Sequence, residues 1–237
     1  MTDRSALVLT LILAESSIEL VPNELVRHPA ILKWAQRKKR DPHSLILDQT
    51  YHHSAILQLG PRGTMRGRPD IAHLSLLLAL GSPLNLSGGL KCYVHTRDNK
   101  IIDVNSTVRL PRNTDRFTSL LERLYEEKRV PPSEPPLLSL KSGSLTSLIG
   151  EISGDIVVAL TTEGTLKPMD LVAAKLMEYS RPVLLVGGFP RGHFSTGVKS
   201  TASDIYRICR YSLEASTVVA RAIYDYEKAL NKRQRSP

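Results

Sequence analysis

Continuous apolar runs alternate along this chain with stretches of helical spacing. Short runs without polar alternation are typical of strands buried on both faces of a sheet, and they predict strands at residues 6–13, 44–47, 90–95, 155–160 and 182–186. Between them apolar positions recur every three or four residues, which predicts helices at residues 22–36, 70–80, 116–128, 168–179 and 212–230. This order predicts an α/β domain with a mostly parallel sheet flanked by helices.

A glycine-rich loop follows the last predicted strand. Residues 186–192 read Val-Gly-Gly-Phe-Pro-Arg-Gly, and ligands of parallel sheets bind outside the carboxyl ends of the strands. A phosphate-binding P-loop would need Lys and Ser/Thr where this chain has His193 and Phe194, and the dinucleotide spacing of glycines is absent. The loop therefore predicts a ligand held mainly by backbone groups, which glycine leaves accessible.

A proline-rich stretch, residues 130–136, divides a basic part of the chain from a neutral part. It is either a hinge between modules or an ordered surface connection, and its shortness favours the second. We therefore expect a single domain, residues 1–237. The charged tail from residue 231 onwards is expected to fray.

Several functional classes find no support in the composition. The apolar stretch at residues 6–14 is too short and too interrupted for a membrane span, so a soluble, cytoplasmic protein is expected. Cys92 and Cys209 lack the spacing of a zinc site or disulfide framework. The pair His52 and His53 has no third ligand at metal spacing, and no nucleophilic triad can be assembled. The sequence thus predicts no metal.

Positive charge is concentrated in one region. Residues 27–116 hold 15 Lys/Arg against 6 Asp/Glu, a surplus equal to the net charge of +9 of the whole chain. A basic segment beside a neutral remainder favours a polyanionic partner. The compact run at residues 37–40 fits a solvated helix end and a phosphate contact equally well.

Two arginine clusters lie inside this region. Residues 66–70 read Arg-Gly-Arg-Pro-Asp, and residues 109–116 carry three further arginines around a proline. Arginine forks bind phosphate oxygens and stack on bases, although each cluster alone also fits a helix cap with solvated charges, with Asp70 as a possible N-cap. Two clusters in the basic region favour RNA or DNA.

Seven segments, in this order, resemble the family of small-subunit ribosomal RNA pseudouridine-N1 methyltransferases, the nucleolar-essential-protein family. They are residues 14–22, 47–53, 66–71, 82–85, 94–96, 109–117 and 187–192. The resemblance covers nearly the whole chain. The Phe-Pro form of the glycine loop and the acidic Glu163-Gly164 pair are similar to the archaeal branch of this family.

The resemblance implies a SPOUT-type fold, a parallel sheet flanked by helices with a C-terminal trefoil knot, and a homodimer. A basic RNA-binding excursion would span about residues 27–116 and the knotted cofactor-binding part about 151–230. S-adenosylmethionine would be held by knot loops containing Leu160, Thr161, Gly164, Gly187, Gly192, Ile208, Cys209, Arg210, Tyr211, Ser212 and Leu213. Ser212 stands where the family often has proline.

The family's substrate-contacting residues also match this sequence. Arg68 corresponds to the arginine at the target base and Asp70 to the carboxylate that holds it, which gives the two expected catalytic residues. Arg109, Arg112 and Arg116, together with Arg68, correspond to RNA-contacting arginines. The implied activity is methylation of N1 of a pseudouridine in small-subunit ribosomal RNA. A ribosome-assembly RNA-binding factor with incidental or no methylation, and a methyltransferase of another RNA, remain alternatives.

The last predicted helix carries a face with few charges, which favours the homodimer because apolar area is available to bury. Its residues are Leu213, Ser216, Thr217, Ala220, Ile223 and Tyr224. The alternative is that this face packs within its own chain.

Overall fold

The computed structural model describes residues 7–235, with side chains described for residues 7–233. Its strands are β1 (Leu9–Ser16), β2 (Leu90–Thr96), β3 (Lys100–Val104), β4 (Arg129–Val130), β5 (Leu138–Ser142), β6 (Ile156–Leu166), β7 (Pro182–Gly187) and β8 (Asp204–Arg207). Its helices are α1 (Pro29–Lys38), α2 (Gln49–Leu57), α3 (Pro69–Leu80), α4 (Pro83–Leu86), α5 (Thr114–Glu127), α6 (Leu145–Ile152), α7 (Met169–Leu176), α8 (Thr196–Thr201) and α9 (Ala215–Arg235).

These strands form one mixed sheet in the order β4-β5-β3-β2-β1-β7-β6-β8. The five strands from β2 to β8 in this order pair in parallel, which agrees with the predicted parallel sheet. The expectation that the sheet is mostly parallel holds only for this part, because β3, β5 and β4 add an antiparallel edge. The proline-rich stretch connects β4 to β5 within that edge.

Alternate residues of the central strands enter two cores, one on each face of the sheet. Leu11 and Leu13 of β1 pack with residues of α3, α5, α7 and α9, whereas Ile12 and Ala14 pack with residues of α6 and α8. The near-continuous apolar runs seen in the sequence follow from this burial on both faces.

A third apolar cluster lies outside the sheet, in residues 21–59. The predicted strand at residues 44–47 is wrong: Pro42–Ser44 is a short 3-10 helix and Ile46 forms a single antiparallel bridge to Leu20. Leu45 and Leu47 are apolar because they fill this small core. Such a satellite core explains an apolar run that no sheet requires.

The first predicted helix begins later than its apolar spacing suggests. Pro29 forces His28 into an extended conformation, so no helix can continue from residue 22 through this point, and α1 begins at Pro29. At the other end α9 continues to Arg235, beyond the predicted end at residue 230, while residues 236–237 lie outside the described part. Residue 6 of the first predicted strand is also outside it.

Candidate active site at the carboxyl ends of the parallel strands

The carboxyl ends of β7 and β8 and the loops that follow them enclose a cavity together with residues 160–162 of β6, where the pairing of β6 with β7 ends. Of the residues expected at a cofactor, these line it: Leu160, Thr161, Gly187, Gly192, Ile208, Cys209, Tyr211, Ser212 and Leu213. Three separate segments thus converge as expected for ligands of parallel sheets.

Gly164 and Arg210 are not among the lining residues. A Cβ at Gly164 would lie 2.5 Å from the backbone of Tyr206. Glycine therefore allows β6 and β8 to pack closely at the irregularity in their pairing. Arg210 is exposed beside the cavity. Gly164 therefore affects the packing of the strands beside the cavity and not the cavity surface itself.

Two glycines fix the course of the loop after β7. A Cβ at Gly188 would lie 2.0 Å from Oγ of Ser16, so only glycine permits this contact with the end of β1. Gly192 has φ of +86°, a left-handed conformation that side chains disfavour. The two glycines are therefore needed for different reasons. Gly188 allows the loop to approach β1 closely, and Gly192 allows a left-handed turn.

The loops predicted to hold the ligand also supply lining residues that were not assigned individually, which are Thr162, Val186, Phe189, Pro190 and Arg191. The sequence interpretation missed Phe194, Arg207, Ala215 and Val218. The rings of Phe189 and Phe194 meet edge to face at 5.6 Å, and Phe194 belongs to the core of the α6/α8 face. The two aromatic residues anchor the loop, and their position beside the glycines was the available signal.

An ion cluster joins the second half of β6 to α8. Glu163 accepts from Lys199, with N and O 2.5 Å apart, and lies 3.6 Å from His193. The hydrogen bond from Lys199 holds the pKa of Glu163 below its ordinary value. These contacts hold the second half of β6 to the segment that follows the glycine loop.

Arg68 and Asp70 form a two-pronged ion pair at the start of α3. Nε and Nη2 of Arg68 donate to the two carboxylate oxygens of Asp70, both at 2.8 Å. This bond raises the pKa of Arg68 above its ordinary value. Asp70 is therefore not the N-cap of α3: that position belongs to Arg68, and Asp70 lies in the first turn and turns back to the guanidinium.

Arg68 lines a second cavity beside the first. Pro190 and Arg191 of the glycine loop belong to the walls of both cavities, and the second is completed by residues of α2 and the turn after it, including Gln49 and His53. The fixed guanidinium and the strand-end cavity therefore share a wall.

The neighbouring Arg66 has a different environment. Its Nε donates to Glu19 at 2.8 Å, its Nη2 also bonds that carboxylate, and Nη1 lies 3.6 Å from Glu24. Only one of the two guanidiniums in this cluster faces a cavity.

The second arginine cluster is held against α3. Nε2 of His73 lies 2.6 Å from the carbonyl oxygen of Pro111, and the His73 ring stacks on Phe117 at 4.3 Å. Burial lowers the pKa of His73, which favours the neutral ring. Arg109 and Arg112 of this loop and Arg116 in the first turn of α5 are all exposed. One helix thus carries Asp70 at its start and fixes the arginine loop one turn later.

The basic run at residues 37–40 is partly structural. Nζ of Lys38 lies 2.7 Å from Oε2 of the buried Glu122, and Arg40 lies 3.7 Å from Glu126. Arg37 lies over the ring of Trp34. Lys38 therefore has a role that neither predicted alternative, a solvated helix end or a phosphate contact, includes: it holds α1 against α5.

Within residues 7–235, no group of three or more His, Cys, Asp or Glu residues is arranged to hold a metal ion. His52 is buried in α2, and His53 is exposed beside the second cavity. Both cysteines are free. In the same range, none of the helices combines the length and apolar character that crossing a bilayer requires.

The fold and the site define an α/β protein with a strand-end ligand cavity beside a fixed arginine and an exposed basic loop. Comparison with known proteins gives this class a family. A family model described as EMG1/NEP1 methyltransferase matches residues 11–227, and the chain belongs to this family. The membership expected from the seven sequence segments is confirmed.

Curated relatives match along almost their whole length. The ribosomal RNA small subunit methyltransferase Nep1 of Pyrococcus furiosus is 44% identical over 219 residues, covering 92% of this chain and 96% of the relative. The protein of the same name from Pyrobaculum aerophilum is 37% identical, covering 92% and 97%. A crystal structure of Archaeoglobus fulgidus Nep1 bound to S-adenosylhomocysteine superposes with a TM-score of 0.82 at 30% identity, covering 94% of this chain and 98% of that one.

Proposed function

We propose that this protein uses S-adenosylmethionine to methylate small-subunit ribosomal RNA at N1 of a pseudouridine, in support of ribosome biogenesis. The observation that carries the proposal is the wall of Pro190 and Arg191 shared by the strand-end cavity and the cavity of Arg68. It would place a methyl donor beside a methyl acceptor. A substrate in ribosomal RNA implies a cytoplasmic location.

The strand-end cavity has the chemistry that the methyl donor requires. Leu160, Val186 and Ile208 supply apolar walls for an adenine ring, while Thr161 and Ser212 supply hydroxyl groups among the backbone groups of the loops. S-adenosylhomocysteine bound to the Archaeoglobus relative supports the same ligand class. The donor supplies a methyl group on a positively charged sulfur. We assign its binding to the predicted lining residues, with Gly164 and Arg210 supporting the loops.

Arg68 is proposed to act at the target base. N1 of pseudouridine carries a proton because the base is attached to ribose through carbon, and this proton must leave as N1 gains the methyl group. Negative charge develops on the ring, and a guanidinium fixed beside it stabilises that charge. Asp70 engages Nε and one hydrogen of Nη2, so the Nη1 hydrogens of Arg68 remain for the base.

The remaining predicted arginines are assigned to the RNA strand. Arg109, Arg112 and Arg116 are exposed, and the described ion pairs include none of them. Exposed guanidiniums without a carboxylate partner suit phosphate oxygens. We assign residues 27–116 to RNA binding and residues 151–230 to the donor, within one domain.

A C-terminal trefoil knot and a homodimer complete the proposal. The knot is supported by the course of the chain after β8: residues 208–213 lie beside the glycine loop along the cavity, and α9 then joins the core on the face opposite to that of α8. The dimer is supported by exposed apolar residues on α3 and α9.

The test is methyl transfer from labelled S-adenosylmethionine to a short stem-loop RNA of the small subunit that contains pseudouridine. Matched RNAs carry uridine or N1-methylpseudouridine at the same position. Transfer is expected to the pseudouridine RNA alone. Tight RNA binding without transfer to any of the three would overturn the proposal in favour of an assembly factor, and transfer to the uridine RNA would contradict the assigned acceptor.

A further inference from the structure

Residues 15–17, at the end of β1, lie between the two halves of the site. The amide of Gly188 donates to the carbonyl of Ala14, and the amide of Ser17 donates to the carbonyl of Gly188, both at 2.9 Å. The carbonyl of Ser17 accepts from the amide of Arg68 at 3.1 Å. Ser17 thus bonds the glycine loop through one backbone group and Arg68 through the other.

The hydroxyl of Ser17 adds a third link. Oγ of Ser17 donates to the carbonyl oxygen of Met65 at 2.6 Å, and Ser17 is 1% exposed. The side chain of Met65 in turn lies beside Gly192, whose Cβ position is 3.4 Å from the Met65 sulfur. Met65 therefore contacts the glycine loop at Gly192, and Ser17 connects Arg68 to the other end of that loop, at Gly188.

We propose that Ser17 is a positioning residue for methyl transfer, which sets the place of Arg68 relative to the glycine loop. This inference rests on the proposed function. Transfer requires the two reacting groups to be aligned, and a misplacement of 1 Å can lower a rate by about 10²-fold. The short, buried hydroxyl bond to Met65 restrains the turn that carries Arg68. Loss of this hydroxyl bond loosens the turn, while the backbone hydrogen bonds of Ser17 to Gly188 and Arg68 persist.

The test is a double-mutant cycle in single-turnover methyl transfer, with donor and pseudouridine RNA both saturating. Ser17→Ala is expected to slow transfer roughly 10-fold, an effect smaller than that of a full 1 Å displacement. In an Arg68→Ala background the same change is expected to cost nothing further, because Ser17 acts through Arg68. Ser17→Thr, which keeps the hydroxyl, restores the rate towards that of the wild type.

Ser75→Ala is the matched control. It removes a buried serine hydroxyl that donates at 2.7 Å to the carbonyl of Ile71, within α3, and its rate is expected to equal that of the wild type. A wild-type rate in Ser17→Ala, or equal slowing with and without Arg68, would overturn the inference. Absence of transfer by the wild-type protein would instead overturn the proposed function, which separates the two failures.

Discussion

Arg66 and Arg68 show how two identical side chains, two residues apart, acquire different roles. Arg66 is enclosed by Glu19 and Glu24, whereas Arg68 is bound on one edge by Asp70 and lines a cavity. An arginine held by one carboxylate keeps donors for a ligand and loses little freedom on binding it. The difference predicts a functional role for Arg68 and a structural one for Arg66.

Arg68 and Arg112 are expected to respond differently to replacement by alanine. Loss of Arg68 removes stabilisation of charge in the transition state, so the single-turnover rate at saturating RNA should fall roughly 10²-fold or more. Loss of Arg112 should weaken RNA binding and lower the salt dependence by roughly one counterion, with little change in the saturated rate. Single-turnover transfer and binding titrations at several salt concentrations measure both effects.

Arg181→Ala serves as the control for charge alone. Arg181 is exposed and lies just before the amino end of β7, whereas the cavity lies at the carboxyl end of that strand. Asp70→Ala should resemble Arg68→Ala, whereas Asp70→Asn should retain part of the rate because an amide oxygen still accepts from a guanidinium. An Arg68→Ala enzyme with the wild-type rate would eliminate the proposed role.

Gly192→Val is expected to raise the Kd of S-adenosylhomocysteine by about 10-fold or more, since a branched side chain disfavours the local φ and displaces the loop. Calorimetry measures the affinity directly. Gly88→Val is the matched control: Gly88 has φ of +78°, nothing lies within 4 Å of its Cβ position, and the site is elsewhere. Equal affinity in folded Gly192→Val and wild-type protein would contradict the assigned loop.

At the scale of elements, the sequence predicted best where burial is complete. The parallel strands β1, β6 and β7 were recognised from continuous apolar runs, and β2 from a run in which Lys91 is exposed. The strands β3, β4, β5 and β8 were missed because they are short and partly exposed, and β6 extends to Leu166 with an exposed second half. Pairing with a neighbour, which no local pattern records, fixes such strands.

The site was predictable to a similar degree. The loop at 187–192 and the two arginine clusters were visible in the sequence, since glycine and arginine carry distinctive chemistry. The position of Arg68 beside Pro190 and Arg191 of this loop was not visible, because it depends on the fold of residues 49–64 over the glycine loop. Bonds through the backbone, such as those of Ser17, leave no mark on residue type.

Helix α2 gives the small core a sensitivity to pH. His52 is buried, its Nδ1 accepts from the amide of Asp48 at 3.0 Å, and burial, followed by the charge of Lys38, lowers its pKa to about 4. In the unfolded chain histidine takes up a proton near pH 6.5, whereas the native His52 stays neutral. Its contribution to stability is therefore full above about pH 6.5 and is lost as the pH falls to about 4.

The loss in wild-type protein should be on the order of 3 kcal/mol over this range. Urea unfolding of wild-type and His52→Gln proteins at several pH values measures it. The difference between the two proteins cancels the contribution of the carboxylates, provided that their surroundings are unchanged. A difference that does not vary with pH would show that His52 takes up its proton as easily in the folded protein as in the unfolded chain.

At the scale of the whole molecule, α3 and α9 carry exposed apolar side chains. Leu74 and Leu78 of α3 are 51% and 42% exposed, and Tyr224 of α9, which lines a groove with Leu78, is 61% exposed. The predicted dimer face of the last helix is therefore divided. Ile223 is buried in its own core and Leu213 lines the cavity, while Thr217, Ala220 and Tyr224 remain exposed.

Leu78→Arg is expected to convert the proposed dimer to a monomer. Leu78 lines a shallow groove with Ala220 and Tyr224, and a charge placed there would have to be desolvated in any interface that covers the groove. Because the side chain is already 42% exposed, the monomer should remain folded. Light scattering at micromolar concentration gives the mass of each form, and circular dichroism reports its folding.

Leu86→Arg provides the control, because Leu86 is 78% exposed on α4 and is not among the residues lining this groove. It should leave the mass of the wild-type protein unchanged. Ala215 and Val218, at the start of α9, line the strand-end cavity, so an interface on the same helix would reach towards that cavity. If a folded Leu78→Arg monomer bound S-adenosylhomocysteine more weakly, the dimer interface and the cavity would be shown to be coupled. A monomeric wild-type protein at the same concentration would refute the dimer itself.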